Sequence, residues 1–203
     1  YELAKIFEEA GLPAGVINVV FGSGSTVGEA MVHHDDIRVI SFTGSNETGS
    51  HIAAECGRQL KKVSLELGGK NAVIVMDDAD LDLAVEGIIW SAFGTSGQRC
   101  TACSRVIVHE DVKEKLEQKI LAEMEKLTIG NGLEADVKVG PIINEAGLEK
   151  IKHYMDVGKE ESATLLAGGY VLNDSHLANG HYFAPTLFTN VTSDMRIAQE
   201  EIF

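Results

Sequence analysis

Arg38-Val39-Ile40-Ser41-Phe42-Thr43-Gly44-Ser45-Asn46-Glu47-Thr48-Gly49 is the stretch that decides the fold of this chain. Arg38–Phe42 is rich in β-branched and aromatic side chains and reads as a strand. Ser45 is a good helix N-cap, and a helix is expected over Ser45–Arg58. Val63–Leu67 follows as the next strand. A strand, a helix and a strand at this spacing imply a βαβ unit and a parallel sheet. Upstream, Glu2–Ala10 reads as a helix closed by Gly11-Leu12-Pro13, Val16–Phe21 as a β-branched strand, and Ser25–His33 as a short helix. Downstream, Asn71–Met76 is a further strand. Asp77-Asp78-Ala79-Asp80 gives acidic capping to a helix reaching Phe93, with Leu81, Ala84, Ile88 and Ala92 on one face. A strand at Arg105–His109, helices at Val112–Leu127 and Glu145–Glu161, and a strand at Ala163–Leu166 complete the pattern. A second α/β unit therefore begins near Gly68-Gly69.

The 203 residues are 44% hydrophobic and 24% charged, with a net charge of −14. That charge argues against nucleic acid or an anionic membrane surface as a partner, because phosphate binding needs clustered Lys and Arg. Lys61-Lys62 is a short basic pair at a strand start. The apolar runs Val16–Phe21 and Ala72–Met76 are too short to span a bilayer. Cys56, Cys100 and Cys103 are odd in number. Cys100 and Cys103 form a C-x-x-C with no second C-x-x-C or paired His, so no metal-ligand set is expected. A reduced, cytoplasmic compartment fits these thiols. The chain opens without Met in a helical pattern and closes at Glu200-Glu201-Ile202-Phe203 without a polar tail, which reads as a piece of a longer protein.

Two glycine turns follow strands. Gly22-Ser23-Gly24-Ser25-Thr26-Val27-Gly28 opens a helix, and Phe42-Thr43-Gly44-Ser45-Asn46-Glu47-Thr48-Gly49 does the same. Such turns let a backbone approach a pyrophosphate, and a helix N-terminus offers unpaired N–H groups to it. Read alone, either turn serves an ordinary glycine corner equally well. Two of them on successive strands of one sheet would open at the same sheet edge.

The chemistry gathers in two segments. Cys100 closes Phe93-Gly94-Thr95-Ser96-Gly97-Gln98-Arg99-Cys100, a small-residue segment after a helix that favours exposure, with Arg99 as a nearby positive charge. Glu66 ends the apolar strand Val63–Leu67, just before Gly68-Gly69. A carboxylate among apolar neighbours resists ionisation, which suits a base. A thiol nucleophile needs activation, and its covalent intermediate needs a second group for release. Cys103 and Cys56 read as structural.

Together, Glu66-Leu67-Gly68-Gly69-Lys70 and Gly97-Gln98-Arg99-Cys100 resemble the two active-site signatures of the aldehyde dehydrogenase superfamily. Gly11-Leu12-Pro13-Ala14-Gly15-Val16-Ile17-Asn18, Phe42-Thr43-Gly44-Ser45, Asp78-Ala79-Asp80-Leu81 and Glu200-Glu201-Ile202-Phe203 resemble family segments too. The resemblance covers residues 1–203, under half of the usual family chain. It implies an α/β fold that is part of the aldehyde dehydrogenase fold. Residues 1–69 would be the C-terminal part of the NAD(P)-binding domain, a Rossmann-like sheet, and 70–203 the N-terminal part of an α/β catalytic domain. It implies oxidation of an aldehyde to a carboxylic acid with NAD or NADP as cofactor. Cys100 would be the nucleophile, passing through a thiohemiacetal and a thioester, and Glu66 the base that activates water. The Cys100 N–H would form half of an oxyanion hole, with an Asn upstream of residue 1 as the other half. Gly24 and Gly28 would lie near the adenosine half, and Phe42, Thr43, Gly44, Ser45 and Gly49 at the pyrophosphate turn. Leu67 would contribute to cofactor binding, Lys150 to a ribose contact, Glu201 to the nicotinamide ribose hydroxyls, and Phe203 to the ring. Arg99 would face substrate, with an aldehyde bearing a carboxylate or phosphate favoured. The small-molecule aldehyde is the expected partner, with a homodimer or homotetramer for the full-length protein. The 203 residues alone are expected not to turn over. Three alternatives stay open: a Cys-His thiol hydrolase, a CoA-acylating aldehyde dehydrogenase, and a non-catalytic relative of the fold.

Overall fold

A computed structural model describes residues 1–174 and 176–203. The chain divides into two compact units, Tyr1–Leu67 and Gly68–Phe203. In the first, helix α1 (Glu2–Glu9) is followed by a π-helical turn at Gly24–Gly28, which runs into helix α2 (Glu29–His33). Strand β1 (Val39–Gly44), helix α3 (Asn46–Arg58) and strand β2 (Lys62–Leu67) form the expected βαβ unit, with β1 and β2 parallel and Thr43 opposite Glu66. Ser45 caps α3, its Oγ accepting the Thr48 N–H at 3.2 Å. Gly49, Ile52 and Cys56 lie three and four residues apart on one face of α3 and are its buried residues. Ile52 and Cys56 join Val32 in a core covered by Ile40, Phe42 and Leu65, and each such aliphatic side chain contributes about 1.5–3 kcal/mol by leaving water. Lys61 is a tie instead of a free charge: its Nζ donates to the carbonyls of Val32 and His34.

The expected strand at Val16–Phe21 does not form. The segment is in no ladder, and Val16, Val19, Val20 and Phe21 are exposed. Its β-branched composition favours extended backbone, but a strand also needs a neighbour to take its N–H and C=O groups. Among the described residues none does.

The second unit begins with strand β3 (Ala72–Val75), helix α4 (Leu81–Phe93) and strand β4 (Arg105–Val108), another parallel βαβ unit. The Asp80 carboxylate caps α4, accepting the N–H groups of Asp82 and Leu83 at 3.0 and 3.2 Å. Helix α5 (Glu110–Met124) lies against α4. The core between them holds Val75, Leu81, Val85, Ile88, Leu116, Ile120 and Met124, with Leu116 and Val75 each 1% exposed. The buried face of α4 is the expected one, with Val85 carrying more of it than Ala84. Helix α6 (Glu145–Glu160) is capped by Asn144, and four short strands follow, β5 (Thr164–Ala167), β6 (Val171–Leu172), β7 (Tyr182–Phe183) and β8 (Leu187–Thr189). β5 pairs antiparallel with β8, and β6 with β7. Helix α7 (Arg196–Gln199) closes the order. No described helix is long and apolar enough to cross a membrane.

Candidate active and cofactor sites

Cys100 is exposed, whereas Cys56 and Cys103 are buried, and all three are free thiols. The exposure follows from the loop that delivers it. Helix α4 ends at Phe93, and Thr95, Ser96 and Gly97 then take φ of 56°, 57° and 71°. Only Gly97 holds that left-handed backbone without strain; each of the other two costs about 1–3 kcal/mol. Side chains hold the turn in place. Ser96 Oγ donates to the Gly140 carbonyl at 2.9 Å. Gln98 Nε2 donates to the Pro141 carbonyl at 3.2 Å, and its Oε1 accepts the Ile143 N–H at 2.9 Å. Past the thiol, Asn71 Nδ2 donates to the carbonyls of Cys100 and Ala102. Burial pushes the Cys103 thiol up, keeping it protonated.

The Arg99 guanidinium is already engaged. It lies over the Trp90 ring, 4.4 Å from the centroid, and one of its N–H groups donates to the Ser91 carbonyl at 3.4 Å. Its Nε is buried without a partner among the described residues.

Glu66 is exposed on β2, opposite in direction to Leu65 and Leu67, which are partly buried. The apolar surroundings expected for it are absent within its own unit, because alternation along the strand turns Leu65 to the core and Glu66 away. Gly24 and Gly28 open and close the π-helical turn ahead of α2. Phe42, Thr43 and Gly44 end β1, and Ser45 and Gly49 begin α3. Gly49 packs on the Leu67 side chain so closely that a Cβ would collide with it, which brings two expected cofactor positions together. The first amides of a helix have no intrahelical partner, so the α3 N-terminus beside Gly44 fits a pyrophosphate.

In the second unit the structure gathers Lys150 and Glu201 around Lys70. Burial first, then repulsion from Arg105, lowers Lys70 to about 8, with Glu200 and Glu201 opposing the shift and Lys150 adding to it. The Glu201 carboxylate rests on Gly68, where a Cβ would occupy its place. The adjoining Glu200 locks this segment. It accepts from Arg196 Nε and an Arg196 terminal N–H at 2.9 Å each and from Tyr154 Oη at 2.8 Å. Those bonds hold its carboxyl down to about 2. Arg105 adds a 2.9 Å donation to the Ala198 carbonyl. Phe203 is exposed at the end of this segment. A cradle that only glycine leaves open, with a carboxylate set in it, fits the ribose-binding part of a dinucleotide site.

Sequence reading missed Asn71, Trp90, Tyr154 and Arg196, none of which lies in the cysteine signature. It also missed Asp77, His109 and Asp111, whose ligand atoms lie within 4.8 Å of one another. His109 there acts as the N-cap of α5, accepting the Asp111 N–H at 3.4 Å.

Comparison with known proteins shows which family the chain resembles. The model of the aldehyde dehydrogenase family matches residues 1–203. The α-ketoglutaric semialdehyde dehydrogenase of Bacillus subtilis (strain 168) is 49% identical over 202 residues, covering 100% of this chain and 41% of the relative. The 1-pyrroline-5-carboxylate dehydrogenase of Staphylococcus epidermidis is 44% identical over 209 residues, covering 100% of this chain and 40% of the relative. A crystal structure of betaine aldehyde dehydrogenase from Staphylococcus aureus in complex with NAD+ superposes with a TM-score of 0.96 at 41% identity, over 99% of this chain and 40% of that one. The chain thus spans about two fifths of the length of these relatives. It belongs to the aldehyde dehydrogenase family.

Proposed function

We propose that the full-length enzyme, a chain of the relatives' length containing these 203 residues, oxidises an aldehyde to its carboxylic acid with NAD+. The observation that carries this reading is Cys100, an exposed thiol at the end of a strained loop pinned by Ser96, Gln98 and Asn71. The Cys100 thiolate attacks the aldehyde carbon, the carbonyl π pair moves onto oxygen, and the Cys100 N–H stabilises the charge that develops there. The resulting thiohemiacetal becomes a thioester on losing hydride. NAD+, when bound, supplies the hydride acceptor. Glu66 then takes a proton from water, whose oxygen attacks the thioester, and the Cys100 thiolate leaves as the acid is released. Ser45, Gly44 and Gly49 would hold the pyrophosphate, Gly24 and Gly28 the adenosine end, and Glu201 and Lys150 ribose hydroxyls. Leu67 and Phe203 would pack on the cofactor. The relative named for α-ketoglutaric semialdehyde, 49% identical, supports an aldehyde bearing a carboxylate. A solved relative with a BME-modified cysteine supports a reactive thiol in this family.

The reading includes residues 1–69 as part of a cofactor domain and 70–203 as part of a catalytic domain. It also includes a homodimer or homotetramer in the cytoplasm.

Kinetics on the full-length enzyme test the chemistry. Cys100→Ala should abolish aldehyde oxidation while leaving NAD+ binding intact, and wild-type turnover by that variant refutes the nucleophile. Glu66→Gln should give a burst of NADH near one equivalent and then slow turnover, as an accumulating thioester requires. An unchanged steady rate excludes Glu66 as the base.

A further inference from the structure

Asn71 stands just before β3, and its side chain reaches the peptide group of Cys100. Nδ2 donates to the Cys100 carbonyl at 2.6 Å and to the Ala102 carbonyl at 3.1 Å. Two carbonyl acceptors admit only the nitrogen end of the amide there, and both of its N–H groups are used. The Asn71 carbonyl in turn accepts the N–H groups of Ser104 and Arg105, each at 3.2 Å, and Ser104 Oγ at 3.1 Å. The turn between them is tight, with the Ala102 N–H donating to the Arg99 carbonyl at 3.0 Å. One residue therefore spans the chain from Cys100 to Arg105. On the other side of the thiol the strained Thr95-Ser96 backbone is anchored by Ser96 and Gln98. None of these bonds uses Cys100 Sγ. They hold the main chain on both sides of the thiol, from which its Cα–Cβ bond departs.

We propose that Asn71 is the positioning residue of the nucleophile, its side-chain amide fixing the Cys100 peptide so that thiol and N–H address one carbonyl together. This rests on the reading of Cys100 as the nucleophile. A misplacement of about 1 Å at the reacting atoms costs on the order of 10²-fold in rate. Losing the donors should therefore act on kcat before it acts on binding.

Three variants of the full-length enzyme test the proposal: Asn71→Asp, Asn71→Ala and Asn71→Ser. Aspartate keeps the shape but sets an acceptor against two carbonyls, alanine removes the donors, and serine restores one. Measured together are kcat, KM for aldehyde and NAD+, the thermal midpoint, and iodoacetamide alkylation of the Cys100 peptide by mass spectrometry. Expected is a kcat loss of roughly 10–100-fold in the aspartate and alanine variants, with partial recovery in serine. The KM for NAD+ should be unchanged and Cys100 should remain alkylatable. Wild-type kcat in folded Asn71→Asp or Asn71→Ala overturns the proposal. So does a parallel loss of folding, NAD+ KM and kcat in all three variants without recovery in serine, which assigns Asn71 a merely structural role. Full activity in Cys100→Ala would instead overturn the reading of Cys100, so the two failures are distinguishable.

Discussion

A methyl group added at Gly68 separates the placement of Glu201 from the stability of the fold. Gly68 is absent from the residues with left-handed backbone. Alanine is therefore acceptable to the main chain and trims the entropy of the unfolded chain by about 0.4–1 kcal/mol. What the new Cβ meets is the Glu201 carboxylate, whose Oε1, Oε2 and Cδ are its nearest neighbours. This is the far end of a flexible side chain, so it can swing aside for a rotamer cost on the order of 0.5–1.5 kcal/mol. The two terms nearly cancel, and the thermal midpoint of Gly68→Ala should move little. Cofactor affinity should not escape. Where Glu201 holds the nicotinamide ribose as proposed, a displaced carboxylate forfeits charge-assisted hydrogen bonds to it, about 1.5–3 kcal/mol, or roughly 10–150-fold in Kd. Titration of NADH fluorescence on the full-length enzyme measures this, with Glu201→Ala and the double variant completing a cycle. Once Glu201 is truncated the methyl meets nothing, so the double variant should bind no more weakly than Glu201→Ala alone. An unchanged Kd in Gly68→Ala, or additive losses in the double variant, refutes the reasoning.

Two further outcomes are expected of the full-length enzyme. Folded Lys70 holds its proton to about pH 8 and the unfolded side chain to about 10.5, so its penalty is complete below 8 and fades as pH rises between them. Lys70→Met should raise stability at pH 7 by about 1–2 kcal/mol, since partial exposure screens the rest; urea unfolding showing a pH-independent difference would reject burial as the cause. For Arg99→Ala, kcat/KM should fall equally for a carboxylated semialdehyde and a neutral aldehyde of matched length, because the guanidinium rests on Trp90 and Ser91. A loss confined to the carboxylated substrate would refute this expectation and support a role in specificity.

Local rules carried the βαβ units. Ser45 and Asp80 are helix caps written in the sequence, and β1, β3 and β4 carry apolar runs, with β2 an alternating strand, at βαβ spacing. Val16–Phe21 carries the same local signal, yet pairing depends on a neighbouring backbone that no local pattern encodes. β6, β7 and β8 are two or three residues long, too short for alternation to register. Cys100 and Glu66 were legible as signatures, and the loop strain that presents Cys100 was not. Asn71 had no signal at all. It is a polar residue ahead of a strand, and its bonds reach 29 and 31 positions along the chain.

An exposed thiol proposed as a nucleophile sets a physical problem that this loop answers. A buried thiol is fixed by its neighbours, as Cys103 is, but desolvation then pushes it up and holds it protonated. A thiol that must reach substrate cannot be fixed through its own burial. Its order has to come from the flanking main chain. In this chain that order is supplied on both sides: buried Ala102 and Cys103 anchor the exit, Asn71 ties the peptide itself, and Ser96 and Gln98 hold the left-handed entry. Two cysteines three residues apart thus differ in exposure, Cys100 open and Cys103 buried. The difference lies in which atoms the surrounding hydrogen bonds occupy, and at Cys100 they occupy the backbone and leave the sulfur open.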